Sequence, residues 1–125
     1  MGELKMKKID YVSKIIECCQ KREEILINDD SIGKYNRYFD RMMKYARKLI
    51  DENRHDELLP YLESDSISIR SDIADILYDL YPKQCVEVLQ EIANMTTATG
   101  LPKHFVVLSV SAQVSLKYVI PKSYP

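Results

Sequence analysis

Tryptophan is absent from the 125-residue chain, glycine occurs three times, and phenylalanine and histidine occur twice each. Each scarcity removes a class of function. Gly2, Gly33 and Gly100 stand too far apart to build the glycine-rich loop that cradles phosphates, and so few glycines also mean few turns. His55 and His104 have no Cys or His at ligand spacing, so no metal site and no cofactor is assigned. The three cysteines are an odd number, and Cys18 and Cys19 are neighbours that point about 100° apart on a helix. Reduced core thiols are expected, not a disulfide framework.

Long apolar runs are missing too. The longest candidate, "FVVLSVSAQVSLKYVI", falls short of the roughly 20 residues that cross a bilayer and carries Gln113 and Lys117. At the N-terminus Lys5, Lys7 and Lys8 precede no apolar stretch of signal-peptide length, because Asp10, Lys14 and Glu17 interrupt it. A soluble, cytoplasmic protein that does not engage a membrane is expected. No Ser-His-Asp or Cys-His combination stands out, and the carboxylates fall on open helix faces, not in the apolar pocket that tunes a catalytic acid. The chain therefore reads as a non-enzyme.

What is present is helix. With 46% hydrophobic and 30% charged residues the chain suits a single helical domain over 1–125, with 1–8 and 120–125 as flexible ends. The apolar residues Ile9, Val12, Ile15, Ile16, Cys19 and Leu26 recur in steps of three and four and mark a first helix. After "INDDSIGK", Ser31 or Asp30 caps a second helix from Ile32 to Asn53, with Ile32, Tyr35, Phe39, Met42, Met43, Ala46 and Ile50 inward. A short third helix turns Leu58, Leu59 and Leu62 inward and should carry Pro60 in its first turn, because an interior proline costs about 3 kcal/mol. The fourth, Ile67 to Tyr81, should bury Ile69, Ile73, Ala74, Ile76, Leu77 and Leu80 until Pro82 ends it. Pro82 also suits the first turn of a fifth helix reaching Met95. Past the loop-like "NMTTATGLP", a sixth helix over Lys103 to Val119 is apolar on almost every side, as a helix clamped between neighbours would be. The expected fold is all-α: about six helices in three antiparallel pairs, a short HEAT-like α–α superhelix.

The central pair carries a signature. "LLPYLESDSISIR", followed by Ala74 and Leu77, resembles the HEAT repeat: a leucine-rich helix, a polar corner, an apolar residue before Arg70, then a small residue for close packing. HEAT repeats usually place Asp where this chain has Ser64, with Asp65 one position later, and Pro where it has Ile67. Arg70 is expected to be a structural residue that bonds the corner, with Asp65 as its candidate partner.

Upstream, "KYNRYFDRMM" followed by "LLPYLESDSISIR" resembles a small bacterial family of HEAT-like domains of unknown function, over most of the chain after residue 10. Members of that family occur beside polymorphic and contact-dependent toxins as immunity proteins. The resemblance brings no catalytic residues. It implies the fold and a protein-binding role, with Asn36, Arg37 and Phe39 as architectural positions, Phe39 in the core and Asn36 capping a neighbouring helix end.

Charge is unevenly spread. Residues 1–50 hold twelve Lys and Arg against eight Asp and Glu; residues 51–125 hold six against eleven. Asp72, Asp75 and Asp79 fall at i, i+3 and i+7 beside Tyr78, and are expected to form an exposed stripe on the concave side. Glu63 and Asp65 in the corner, and Glu87 and Glu91 on the fifth helix, repeat the sign. Such a surface suits a basic partner, and with the family resemblance it points to a cognate toxin domain, a nuclease whose cationic active site would be occluded. The second helix carries the opposite sign, with Arg37, Arg41, Lys44 and Lys48 interleaved with Tyr38. This alternative basic face suits nucleic acid or a general protein scaffold, although a net charge of −1 and the lack of Trp argue against nucleic-acid binding.

Overall fold

Local capping chemistry starts several of the elements where the chain turns polar. A computed structural model describes residues 9–119. The Asp10 carboxylate accepts the Ser13 N–H at 3.0 Å and opens α1, Tyr11–Ile27. The Ser31 hydroxyl accepts the N–H groups of Gly33 and Lys34 and opens α2, Ile32–Asp51. Between them Asp29 takes a positive φ of 52°, which reverses the chain within a few residues. Ser66 caps α3, Ile67–Leu77, through the Ile69 N–H at 3.1 Å, and its hydroxyl donates to the Glu23 carboxylate at 2.9 Å, tying the corner to α1. Pro82 is the first residue of α4, Pro82–Ala93. A 3-10 turn, Lys103–Phe105, leads into α5, Val106–Val114, which continues as a π-helical turn over Ser115–Val119.

The third expected helix is a 3-10 helix, His55–Glu63, with Pro60 inside it and not in its first turn. In an α-helix the Pro60 ring would press on the carbonyl four residues back; the tighter winding and an exposed Pro60 avoid that clash. The fourth expected helix ends at Leu77, short of Tyr81, and Leu80 is exposed. Pro82 is the cause: it disfavours helical geometry at Tyr81, which stands at φ −133° and ψ 63°, and the chain leaves the helix before it. Ile9 and Ile32, expected inside, are exposed, because each sits at or before the first turn of its helix, beyond the reach of a packing neighbour.

All the elements are helical; among the described residues there is no strand. The six principal helices pair as α1 with α2, the 3-10 helix with α3, and α4 with α5, and stack as a short α–α superhelix. α3 is central and meets α1, the 3-10 helix, α4 and α5. The core it anchors includes Ile15, Met42, Leu49, Leu58, Ile73, Leu77, Leu89, Ile92 and Leu108. α5 is not clamped on all sides. Phe105, Leu108 and Ala112 are buried against the stack, whereas Val106, Val107, Val110 and Val114 face outward. The expectation of flexible ends at 1–8 and 120–125 lies outside the described residues.

Candidate functional site

The acidic stripe expected on α3 does not exist as a surface. Asp72 is 1% exposed and forms an ion pair with Arg22 of α1, fifty positions away. Arg22 is buried as well, its guanidinium stacked 3.8 Å from the Tyr35 ring centroid and 5.0 Å from that of Phe39, with Nε donating to the Tyr35 carbonyl at 3.3 Å. The face of α3 read as a concave wall is covered by α1, and an Asp there survives only because Arg22 comes with it. Asp75 and Tyr78 are partly buried, and Asp79 alone of the stripe is exposed, in the turn after α3.

This burial changes the acids. Desolvation raises the Asp72 carboxyl to about 6, with Arg22 opposing it. Asp75 rises to about 7, first through desolvation and then through the negative charge of Asp72. The Asp72 Oδ2 atom is buried without a hydrogen bond. Arg22 was missed in the sequence, yet a signal was there: it continues the inward phase of Ile15, Cys18 and Cys19, where a solvated Arg has no place. All three cysteines are buried free thiols, and desolvation pushes Cys18 up and Cys85 up to about 12, so they stay protonated.

Acidic residues instead gather between the 3-10 helix and α4. A groove of about 570 Å³ is lined by the apolar Leu59, Leu62 and Val88, by Glu63, Glu87 and Glu91, and by Arg70 and Gln84. Arg70 bonds the corner as expected, donating to the Ser64 carbonyl at 3.0 Å, but its carboxylate partner is Glu91 at 2.9 Å and not Asp65. Packing of α4 beside the corner brings Glu91 within reach, while Asp65 is turned to solvent. Among the described residues Glu63 and Glu87 form no ion pair, so their charges are open to a partner. Of the expected acidic residues, the structure thus brings Glu63, Glu87 and Glu91 to one groove and leaves Asp65 and Asp79 as separate surface charges.

The basic face is also a groove. Lys21 from α1 meets Lys34, Arg37, Tyr38 and Arg41 from α2 around a space of about 350 Å³, which adjoins a smaller one lined by Lys14, Glu17 and Tyr45. Arg41 lies over the Tyr38 ring at 5.1 Å, and Lys14 over that of Tyr45 at 5.7 Å. Lys34 pairs with Asp30 at 3.3 Å, whereas Arg37 and Arg41 pair with no carboxylate among the described residues. Lys44 and Lys48 are exposed but line neither space. Phe39 packs on the core as expected, partly buried; Asn36 is exposed and forms no capping bond among the described residues.

No three His, Cys, Asp or Glu side chains among the described residues gather as a metal site, and no described helix is long and apolar enough to cross a membrane. Compared with protein-family models, with curated proteins and with solved structures, the chain matches none.

Proposed function

We propose that this chain is a non-catalytic, cytoplasmic immunity protein that neutralises a cognate toxin domain, a nuclease with a basic cleft, by covering its active site with the acidic groove between the 3-10 helix and α4. One observation carries the reading: Glu63 and Glu87 are exposed carboxylates that form no ion pair among the described residues and line one groove with the apolar Leu59, Leu62 and Val88. Apolar contact at the centre with charge at the rim is how protein interfaces combine affinity with fast association. The family resemblance of the "KYNRYFDRMM" and "LLPYLESDSISIR" stretches supports the same role.

The test is co-expression with the toxin domain encoded beside the gene. Wild-type protein should rescue growth, and Glu63→Lys with Glu87→Lys should abolish rescue while circular dichroism stays unchanged. Association should slow as salt rises, because rim charges act over a Debye length of about 10 Å at 0.1 M. Full protection by the double reversal sinks the role of this groove.

The unpaired Arg37 and Arg41 beside Tyr38 favour a second reading, in which the α1–α2 groove grips nucleic-acid phosphates. It predicts salt-sensitive binding of single-stranded RNA that disappears in Arg37→Glu with Arg41→Glu and is indifferent to the Glu63 and Glu87 reversals. Glu17, Glu24 and Asp30 on the same walls weigh against it.

A further inference from the structure

Among the described residues nine large apolar side chains are exposed, and five of them are Ile27 and Ile32 at the α1–α2 turn and Val107, Val110 and Val114 on α5. Ile27, Ile32 and Val107 line a groove of about 650 Å³, and Val110 and Val114 extend its face along α5 at helical spacing. Ile32 is 67% exposed at the first position of α2, so most of the stabilisation that its burial would bring is left unused. The two lips differ in sign. Asp29 and Asp30 stand on the α1–α2 side, Lys103 and His104 on the α5 side. Asp30 is already paired with Lys34, but Asp29 and Lys103 form no ion pair among the described residues, either with each other or elsewhere.

The geometry points to a second copy of this chain as the occupant of that groove, joined about a twofold axis running along it. A partner for this face must offer an apolar strip bordered by charges in the reverse order. A twofold rotation about the groove axis supplies that order, laying the Asp29 lip of one copy against the Lys103 lip of the other, and isologous pairs of this kind are the commonest oligomers. The acidic groove used in the proposed function shares no residue with this face, so the dimer would present two such grooves, and either proposal can fail alone.

The test is sedimentation equilibrium of the full chain with no other component. The wild type should be a dimer that dissociates on dilution, and Ile32→Asp should be monomeric at every concentration tested. Asp29→Lys should raise the dimer dissociation constant about tenfold, since each dimer carries the contact twice, and adding Lys103→Asp should restore it. Val107→Asp repeats the apolar test should Ile32→Asp fail to fold. A monomeric wild type overturns the inference, as does a dimer indifferent to Ile32→Asp and Val107→Asp. A dimer that the charge swap fails to restore overturns the twofold arrangement.

Discussion

Helix α3 buries Ser68, Ser71 and Asp72, while the more apolar α5 leaves Val107, Val110 and Val114 between 43 and 50% exposed. Polarity alone would have sorted them the other way. The difference follows from position in the stack. α3 packs against four other elements, which bury its polar groups along with its apolar ones; Asp72 is compensated there by Arg22 from α1, while its Oδ2 atom and the Ser68 hydroxyl are buried without a hydrogen bond. α5 stands at the end, so among the described residues only the Phe105, Leu108 and Ala112 side finds a neighbour, and its outer valines are exposed. Burial is decided by the number of packed neighbours, and a helix with few of them cannot hide an apolar face however strongly its composition favours doing so.

The largest way to break this contrast is at the buried ion pair. Arg22→Met should cost about 3–5 kcal/mol in urea denaturation, because it leaves Asp72 as an uncompensated buried charge. Arg22→Met combined with Asp72→Leu should recover most of that loss. A single variant as stable as the wild type would mean that α3 holds its place without the pair.

A smaller effect should appear in the pH dependence of stability. The carboxyls of Asp72 and Asp75, at about 6 and about 7, lie above their ordinary 3.8, so between those values the native state binds more protons than the unfolded chain. Their contribution is full below 3.8 and is lost progressively as pH rises from there through 6 to 7. Asp10 and Asp30 are held below their ordinary value by hydrogen bonds from Ser13 and Ser31, and act in the opposite sense only in more acid solution. Urea midpoints should therefore fall from pH about 5 to pH about 8, and Asp75→Asn should flatten that slope. An unchanged slope in Asp75→Asn would place the titrating group elsewhere.

The smallest effect belongs to α5. Val114→Ser should change stability by no more than about 0.5 kcal/mol at concentrations where the chain is monomeric, since no neighbour loses contact. A loss of several kcal/mol would show that this face is covered within the chain and would remove the contrast with α3.

Much of the helical plan was legible from residues alone. Ser31 and Pro82 start α2 and α4 where their capping chemistry requires, and the polar corner from Ser64 to Ser66 separates the central pair as read. Other features had no local signature. The carboxylates of Asp72 and Asp75 looked like a solvated stripe because the spacing of one helix shows which residues share a face but not what meets that face. The Glu63, Glu87 and Glu91 groove was divided in the sequence between a corner and a later helix, and only stacking of the 3-10 helix beside α4 joins them.

By itself, then, the sequence determined the all-helical character, the caps, the breaks at proline and the inward phase of most helices, since these depend on interactions within a few residues. Tertiary structure alone decided that Asp72 lies in the core and Val110 outside it, and that Arg70 meets Glu91, twenty-one residues on, and not the adjacent corner's Asp65. The physical reason is shared by all three: burial and ion pairing are properties of the space between helices, and that space exists only once the helices have packed.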